Sequence, residues 1–421
     1  MENYTKKPNG LKTTFRSLQY RNYRLFFAGQ SVSLIGTWIQ RIAMPWLVYD
    51  LTKSVFLLGL VGFVGQVPTF LLSPFAGVLT DRWNRYHILI ATQILAMAQA
   101  IILTWLVFNK SIEVWHIVLL SGFLGCINAF DIPARQSFVI KMVEKKEDLG
   151  NAIALNSSMV NGARLLGPSI AGILIATTGE GICFLLNALS YVFVIWSLLL
   201  MKIEPYKKKS ITKSVIKEFK EGFSYTFGSI PIKYIILLLA LVSLMGMPYT
   251  VLMPVFAKEI LHGGSHTFGF LMGASGLGAL TGALYLASRK NISGLDKIIP
   301  LAASAFGAGL IMFSFSRSFP LSLLLLVMVG LGMMLQMASS NTMLQTIVDD
   351  KQRGRVMSFY TMAFMGTAPF GSLLAGSVAK IIGIPNTILI GGISCILGAL
   401  FFIRKLPEIT KAINAHNSHN S

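Results

Sequence analysis

Long runs of apolar residues alternate along the whole chain with short stretches rich in charge, proline or glycine. Each run has roughly the twenty residues that an α-helix needs to cross the hydrocarbon core of a bilayer. The runs do not show the apolar-polar alternation of a transmembrane β-barrel. The pattern predicts an all-α integral membrane protein with twelve transmembrane helices. Their approximate centres are Leu34, Leu71, Ala98, Leu124, Leu165, Tyr191, Met245, Leu277, Leu310, Val329, Ala368 and Ser394.

Charge is scarce in this chain, since 13% of its 421 residues are Asp, Glu, Lys or Arg. A soluble globular domain carries about 25%, so too few charged side chains remain to cover a water-exposed surface. This excludes soluble enzymes, DNA-binding domains and disordered scaffolds. The three cysteines lie far apart within apolar runs. Neither a disulfide framework nor a cysteine metal site is indicated, and the sequence predicts no metal and no cofactor.

The net charge of +19 is explained by where the charges lie. With twelve helices, both termini and the even-numbered connections share one side of the membrane, and 28 of the 36 lysines and arginines fall there. The opposite side has five: Lys53, Lys110, Lys258, Arg317 and Lys380. This is the positive-inside bias, so we expect a multi-pass protein of the cell (inner) membrane with both termini cytoplasmic. The lipid bilayer accounts for the excess charge through its anionic headgroups, and no nucleic-acid partner is predicted.

The longest polar stretch divides the predicted helices into two sets of six. Residues 1–20 are predicted to form a cytoplasmic tail, 21–202 a first six-helix bundle, 203–230 a linker, 231–405 a second six-helix bundle and 406–421 a second cytoplasmic tail.

Within the linker, apolar residues recur every four positions and the lysines lie away from that stripe. The pattern predicts a basic amphipathic helix. Two placements remain open, along the inner face of the membrane or packed on the cytoplasmic ends of the other helices, and either makes it a connector. The residues of the stripe are Ile211, Val215, Phe219, Phe223 and Phe227.

The glycine spacing of the fifth predicted helix recurs in the eleventh. Each set follows a charged loop and opens the fifth helix of its half. Two six-helix bundles in parallel repeat indicate a transporter with a central site between them, whereas channels usually assemble from several subunits. The glycines that recur 204 positions later are Gly162, Gly167 and Gly172, which correspond to Gly366, Gly371 and Gly376.

A charged loop after the second predicted helix carries Gly77, Asp81, Arg82 and Arg85. It resembles the Gly-x-x-x-Asp-Arg-x-Gly-Arg gating motif of the major facilitator superfamily, and the resemblance covers essentially the whole chain. Asn84 stands where the family usually has glycine, and asparagine tolerates the left-handed backbone conformation better than most residues. In the family the aspartate caps the positive end of the eleventh helix, which here would begin near residues 354–358. The alternative is a solvated turn aspartate.

Four further stretches are similar to the branch that includes the enterobactin exporter and the macrolide efflux proteins. This resemblance implies secondary active export of a small molecule by alternating access, driven by the proton gradient. Gly167, Pro168 and Gly172 also resemble the fifth-helix motif of antiporters, which supports the export direction. The four stretches are residues 131–136, 149–157, 161–168 and 349–356.

Asp131 is the one acidic residue well inside a predicted helix, and ionisable groups within a membrane are usually paired or functional. If the fourth and fifth helices form a symmetric hairpin, Asp131 and Arg164 differ in depth by three residues, or about 4.5 Å. Arg135, four residues from Asp131 on the same helix face, is the competing partner. Two interpretations remain open: a carboxylate that exchanges its arginine for a proton during transport, or a permanent structural ion pair.

Arg41 lies in the first predicted helix. It can meet an anionic or carbonyl-rich substrate, pair with Asp50, or bind backbone carbonyls freed by Pro45. Other polar side chains in or near the predicted helices are candidates for the wall of a central cavity, with interhelical hydrogen bonding as the alternative. These candidates are Gln40, Gln66, Asn128, Gln336 and Asn341.

The leading hypothesis is a transporter that exports a small amphipathic molecule, siderophore-, macrolide- or drug-like. It works by alternating access and exchanges its substrate for protons. A proton-coupled importer of a nutrient with the same fold is the alternative, because the charged residues do not fix the direction. An intramembrane enzyme would need convergent His, Asp or Ser groups at one depth. The predicted helices offer a single well-buried carboxylate, so we expect no enzymatic activity.

Overall fold

The computed structural model describes residues 15–139, 142–202, 215–289 and 294–420. Helices joined by short connections make up this part of the chain, and no strand occurs in it, so the predicted all-α class is confirmed. Within these ranges the side chains are described except at residues 73–74, 77–82, 146, 215–219, 350–351 and 412–420.

Six long helices form the first half of the described chain, after one 3₁₀ turn at Arg16–Gln19. Each contains one of the first six predicted centres. They are α1 (Arg21–Thr52), α2 (Val55–Arg82), α3 (Arg85–Phe108), α4 (Val114–Val139), α5 (Lys146–Thr178) and α6 (Glu180–Leu199).

The second half contains shorter helices as well as long ones. They are α7 (Val215–Gly228), α8 (Ile230–Leu241), α9 (Tyr249–Val255), α10 (Ser265–Ser288), α11 (Leu295–Phe315), α12 (Phe319–Ile347), α13 (Asp350–Thr361), α14 (Ala368–Ile382) and α15 (Ile384–Asn420).

In the described part of the second half, three π-helical turns interrupt the helices, at Val242–Gly246, Phe256–Ile260 and Met362–Gly366. A π turn shifts the backbone hydrogen-bond register and is often found at functional positions. The first and third turns are joined directly, because the Ser243 hydroxyl donates to the backbone carbonyl of Phe364 at 2.5 Å. A side chain thus ties together two interrupted helices where their backbone ladders are irregular.

Among the residues that the structure describes, eleven helices are long and apolar enough to cross a membrane. Two of them are the interrupted stretches Ile230–Ile260 and Gln352–Ile382. Helix α1 is not among them although it has 32 residues, because polar residues such as Arg41 lower its hydropathy. The prediction of twelve transmembrane helices therefore stays a prediction. Apolar side chains such as Trp105 and Leu284 are more than 60% exposed, as expected on surfaces that face lipid.

Successive long helices run in opposite directions, so their connections collect at two ends of the molecule. We call "upper" the end with the connections that follow α1, α3, α5, α9, α11 and α14. The "lower" end has the connections that follow α2, α4, α6, α10 and α12. At the upper end the ring of Phe108 packs on Gly181. At the lower end the hydroxyl of Tyr86 donates to the backbone carbonyl of Leu198.

The repeat predicted from glycine spacing extends to the ends of α5 and α14. Gly179 and Gly383, again 204 positions apart, follow these helices with φ of 85° and 81°. A side chain is strained at such angles, which is why glycine stands at both positions.

The same helix contact occurs once in each half of the repeat. A Cβ added at Gly269 of α10 would lie 2.5 Å from the carbonyl oxygen of Pro168 and 2.7 Å from the Cα of Gly172, both on α5. Helix α10 of the second half therefore packs backbone to backbone on α5 of the first.

Helices α2 and α14 repeat this contact in register. A Cβ added at Gly59 of α2 would lie 2.6 Å from the carbonyl oxygen of Ser372 and 3.0 Å from the Cα of Gly376. Ser372 and Gly376 come 204 positions after Pro168 and Gly172. Two equivalent glycine crossings thus join the first half to the second.

The amphipathic helix α7 packs on α13 where its side chains are described. The rings of Phe223 and Phe227 lie 6.0 and 6.2 Å from that of Phe359, and Arg355 pairs with Glu221 at 3.0 Å. Of the two predicted placements, these contacts correspond to packing on the lower ends of the other helices. The rest of the predicted stripe lies outside the described side chains: Ile211, Val215 and Phe219.

Candidate transport site

Asp131 of α4 is 2% exposed, and neighbouring side chains surround its carboxylate. Thr92 Oγ1 and Gln93 Nε2, both on α3, donate to Asp131 Oδ1 at 3.0 and 2.7 Å. Arg135 forms an ion pair with Asp131 Oδ2. A buried charge is stable only when it is paired and hydrogen-bonded, and these three groups meet that requirement.

Arg135 is therefore the partner of Asp131, and Arg164 lies elsewhere. Arg164 Nη2 is 3.6 Å from the sulfur of Met333 on α12, and its guanidinium lies 6.0 Å from the ring centroid of Trp38 on α1. The hairpin argument compared the depths of Asp131 and Arg164 but not the directions of their side chains. Asp131 faces α3, whereas Arg164 faces α1 and α12.

The amide of Gln93 has an unused acceptor beside this ion pair. Its Nε2 donates to Asp131, but its Oε1 is buried without a hydrogen-bond partner in the described part of the chain. A buried acceptor without a donor is costly, of the order of 1–3 kcal/mol. The amide can therefore gain a hydrogen bond if a donor appears nearby.

Arg41 lies beside the same indole that Arg164 approaches, that of Trp38. Its guanidinium lies 4.9 Å from the ring centroid of Trp38, and its side chain keeps an exposed surface. The pairing that the sequence left open, with Asp50, is absent, because Asp50 binds Lys258 at 2.7 Å.

Gln40 lies inside the first half in a network of buried amides. Asn187 Nδ2 donates to Gln40 Oε1 at 2.7 Å, Gln40 Nε2 donates to Gln99 Oε1 at 3.0 Å, and Gln99 Nε2 approaches the carbonyl oxygen of Leu120 at 3.4 Å. The chain of bonds joins α6, α1, α3 and α4. Gln40 thus takes the interhelical role that was the alternative to lining a cavity.

The other polar candidates are spread over both halves. Gln66 donates to a backbone carbonyl one turn earlier in its own helix at 3.0 Å. Gln336 is 1% exposed and its Nε2 lies 3.5 Å from the hydroxyl of Ser340. Asn128 and Asn341 remain partly exposed.

The antiporter-type motif brings α5 close to helices on two sides. A Cβ added at Gly167 would lie 2.4 Å from the Cβ of Trp38, so α1 approaches α5 directly because residue 167 has no side chain. Pro168 and Gly172 form the crossing with Gly269 of α10. The motif therefore positions Trp38 as well as the contact between the halves.

Part of the predicted gating loop differs from expectation. Asn84 has φ −70° and ψ 111°, so it does not use the left-handed conformation that asparagine tolerates. Its Oδ1 instead accepts from the backbone N–H of Tyr86 at 3.0 Å and caps α3, which begins at Arg85. Helix α13 begins at Asp350, ahead of the predicted 354–358. The remaining residues of the motif lie outside the described side chains: Gly77, Asp81 and Arg82.

Polar contacts between the two halves at the upper end were not predicted. Lys258 Nζ lies 2.7 Å from Asp50 Oδ1, and the hydroxyl of Tyr49 donates to Glu259 Oε1 at 2.9 Å. Lys258 also lies 5.5 Å from the ring centroid of Trp46. Both pairs join residues more than 200 positions apart, and no local pattern in the sequence indicates such a pairing.

A second cluster that the sequence did not reveal ties the segment before α1 to the start of α5. Asp148 is 7% exposed. Its carboxylate pairs with Arg16 Nε at 2.9 Å and accepts from the hydroxyl of Tyr20 at 2.7 Å. The hydrogen bond to Asp148 raises the pKa of Tyr20. The available signal was an acidic residue in the first turn of a helix, where the helix dipole favours it.

Several bacterial transporters are similar to this chain over nearly their whole length. It is 27% identical over 396 residues to the staphyloferrin A transporter of Staphylococcus aureus, covering 91% of this chain and 96% of the relative. It is 24% identical over 385 residues to macrolide efflux protein A of Streptococcus pyogenes, covering 89% and 94%. It is 22% identical over 387 residues to the multidrug efflux pump Tap of Mycolicibacterium fortuitum, covering 90% and 94%.

Solved transporter structures share the fold. A POT family transporter in complex with a thioalcohol-conjugated peptide has a TM-score of 0.75 and 13% identity, covering 94% of this chain and 100% of that one. A bacterial homologue of the human lysosomal transporter Spinster, inward-facing and unoccupied, has a TM-score of 0.68 and 14% identity, covering 93% and 98%. At these identities the similarity concerns the fold alone.

The sequence model of one family, described as transmembrane secretion effector, matches residues 12–421. This match and the full-length relatives confirm the resemblance inferred from the motifs. The chain belongs to the transmembrane secretion effector family of the major facilitator superfamily, in the branch of siderophore and macrolide transporters.

Proposed function

We propose that this protein is a secondary active transporter that exports a small amphipathic molecule in exchange for protons, by alternating access to a central site. The observation that carries the proposal is the buried carboxylate of Asp131, which one arginine and two neutral donors hold in the membrane interior. Such a carboxylate can be neutralised either by its arginine or by a proton, and transport can alternate between the two.

Protonation changes the bonds that Asp131 makes. The ionised carboxylate accepts from Thr92 and Gln93 and pairs with Arg135. A protonated carboxyl group loses the charge-assisted part of the Arg135 bond and gains an O–H donor. The unused Oε1 of Gln93 can accept that proton's hydrogen bond after its amide turns. Arg135 is then free to move, which links a proton to the packing of α3 on α4.

The two equivalent glycine crossings support alternating access. Gly269 of α10 packs on α5, and Gly59 of α2 packs on α14. These crossings give the halves matched surfaces, free of side chains, about which they can rock. In this proposal two pseudo-symmetric bundles of six transmembrane helices are formed by residues 21–202 and 231–405. Helix α1 is added to the eleven apolar helices to complete the twelve. Residues 203–230 form the connecting linker.

The charge distribution supports the orientation. The lower end collects most lysines and arginines, so by the positive-inside rule it faces the cytoplasm, together with the tails at 1–20 and 406–421. The upper end, with Asp50 and Lys258, faces outward. The bacterial relatives support placement in the bacterial cell membrane.

Export rather than import is supported by the antiporter-type motif and by the relatives named for macrolide and multidrug efflux. A siderophore-, macrolide- or drug-like molecule is therefore the proposed cargo. Import of a nutrient by the same fold is the competing function, and vesicles of opposite orientation distinguish the two.

The test is transport by purified protein in proteoliposomes that contain a pH-sensitive dye. Erythromycin, ethidium and dansyl-glutamate serve as probes, with a pH gradient imposed in either direction across vesicles of known orientation. We expect accumulation of at least one probe on the side opposite the lower end, with protons moving the other way. Asp131→Asn should reduce gradient-driven accumulation at least tenfold.

Asp296→Asn is the matched control. Asp296 is also a buried carboxylate, 8% exposed, but it accepts from Thr410 at 2.9 Å and has no arginine partner in the described part of the chain. This variant should transport like the wild type. Gradient-driven export that survives Asp131→Asn would remove Asp131 from the proposal, and accumulation in the reverse direction would favour the importer.

A further inference from the structure

Two cationic side chains at mid-depth share one aromatic ring. The guanidinium groups of Arg41 and Arg164 lie 4.9 and 6.0 Å from the ring centroid of Trp38. Arg41 is 11 residues from the upper end of α1 and Arg164 is 14 from the upper end of α5, roughly 17 and 21 Å at 1.5 Å per residue. The two cations therefore lie at similar depth and repel one another.

No carboxylate in the described part of the chain compensates these charges. Among the described residues, no carboxylate lies within the 4.0 Å of an ion pair from either Arg41 or Arg164. Asp131, the buried carboxylate of the same half, is taken by Arg135. Contacts with an indole and with the sulfur of Met333 only partly offset the cost of an unpaired charge within a membrane.

The Arg41 side chain retains exposed surface although it lies in the interior of the long helix α1. Its guanidinium lies beside Trp38, and α5 contacts Trp38 at Gly167. The exposed surface is therefore on the side of α1 that faces α5, as expected of a side chain on a cavity wall. Trp38 and Arg164 are half-buried beside it. A small molecule that enters from that side can reach both guanidinium groups.

The second half of the chain borders the same place. Arg164 contacts Met333 of α12, and α10 packs on its backbone, because a Cβ added at Gly276 would lie 2.9 Å from the carbonyl oxygen of Arg164. The Tyr249 hydroxyl is hydrogen-bonded to Ser275 of α10 at 2.7 Å. A molecule bound at Arg164 would therefore lie between the halves, where alternating access requires it to be.

We infer that Trp38, Arg41 and Arg164 form an anion-binding site for the transported molecule, which is an amphipathic organic anion with one or more carboxylate groups. Each guanidinium presents a planar pair of N–H donors that matches a carboxylate. Trp38 and Met333 supply the apolar surface that an amphipathic anion needs. This inference rests on the proposed function and narrows its cargo from amphipathic molecules in general to anionic ones.

The test is equilibrium dialysis of wild-type protein in lipid nanodiscs against dansyl-glutamate and its uncharged dimethyl ester. The two probes share an aromatic group and differ in their carboxylates. We expect the anion to bind at least tenfold more tightly than the ester. Arg41→Gln and Arg164→Gln should each weaken anion binding at least tenfold and leave ester binding unchanged, and Arg41→Lys should retain part of it.

Arg317→Gln is the control for a cation outside the site, since Arg317 is exposed at the upper end and donates to backbone carbonyls there. It should bind both probes like the wild type. Because Arg164→Gln can fail to fold, Arg41→Gln is also compared with wild type in competition by citrate, which should displace dansyl-glutamate from the wild type alone.

Equal affinity of the wild type for the two probes, or no measurable binding of the anion, would overturn the anion site. So would unchanged anion binding in Arg41→Gln. These results leave proton-coupled transport of erythromycin or ethidium intact if the proposed function holds. Loss of all proton-coupled transport in the wild type would instead reject the proposed function.

Discussion

Gly172 of α5 and Gly269 of α10 meet across the two halves with no side chain between them. A Cβ added at Gly172 would lie 2.9 Å from the Cα of Gly269 and 2.8 Å from the carbonyl oxygen of Ser265. Both distances are to backbone atoms, which cannot turn away as a flexible side chain can. The crossing therefore depends on the absence of side chains at both positions.

We predict that Gly172→Val forces α5 and α10 apart and slows transport. Overpacking of this kind costs about 1–3 kcal/mol, which corresponds to a roughly 5- to 150-fold change in the equilibrium between conformations that keep and break the crossing. Initial transport rates per folded molecule measure the effect. Gly162→Val on the same helix is the control, because no atom lies within 4 Å of a Cβ added at Gly162. Equal rates for both variants would contradict the prediction.

The glycine register illustrates how far the sequence reaches. The 204-residue offset identifies Gly172 and Gly376 as equivalent positions. It does not identify Gly269 and Gly59 as the glycines they meet. Spacing along one helix encodes which face is free of side chains, but the choice of partner helix depends on the tertiary packing of two distant segments.

Asp50 forms ion pairs with two lysines, and one of these pairs joins the two halves. Lys53 Nζ lies 2.8 Å and Lys258 Nζ 2.7 Å from the same oxygen, Asp50 Oδ1. We predict that Lys258→Gln destabilises the closed upper end by about 0.2–1 kcal/mol. The population of molecules with an open upper end should then grow up to about fivefold. Lys53→Gln should have no such effect, since it leaves the bond between the halves in place.

Pulsed electron-spin distance measurements report this opening, with spin labels at the exposed upper-end positions Leu51 and His262 after replacement of the native cysteines. The population with long distances should grow in Lys258→Gln at low salt. The difference from wild type should shrink in 1 M NaCl, where the Debye length falls to about 3 Å and exposed charges are screened from one another. A distance distribution that is the same in both lysine variants would show that the ion pair does not hold the upper end together.

The network around Gln40 predicts a loss of stability rather than of substrate binding. Gln40→Leu leaves Asn187 Nδ2 without its acceptor and Gln99 Oε1 without its donor, and each buried unsatisfied group costs about 1–3 kcal/mol. We expect a destabilisation of about 2–6 kcal/mol and a lower thermal unfolding midpoint in detergent. Gln66→Leu removes one bond within its own helix and should change the midpoint far less.

Transport per folded molecule separates this role from a role in the cavity. Folded Gln40→Leu should transport at a rate close to that of the wild type, because its partners lie within the first half. An unchanged unfolding midpoint together with lost transport would instead return Gln40 to the cavity wall.

The ion pair at Asp131 shows which physical quantity the sequence lacks. The depth of a residue follows from counting along a helix at 1.5 Å per residue, and it brings Asp131 and Arg164 to similar heights. Whether they meet depends on the rotation of each helix about its axis. That rotation is set by packing. For example, the close contact of Gly167 with Trp38 turns α5 so that Arg164 lies near the Trp38 ring. Arg135 avoids this dependence because it shares a helix with Asp131.

Asp148 anchors the segment before α1, and its removal should release that segment. We predict that Asp148→Asn removes the ion pair with Arg16 and weakens the bond from Tyr20, because a neutral amide replaces a charged acceptor. Limited trypsin digestion should then cleave after Arg16 at least fivefold faster, as mass spectrometry of the released peptide can measure.

The neighbouring Glu147 offers a control of the same charge. Arg16 Nη2 donates to the backbone carbonyl of Glu147 at 2.7 Å, and this bond does not involve the exposed carboxylate. Glu147→Gln should therefore be cleaved like the wild type, although both variants lose one negative charge from the first turn of α5. If both variants were cleaved faster to the same extent, the cause would be weaker stabilisation of the helix dipole, not loss of the contacts that Asp148 makes with Arg16 and Tyr20.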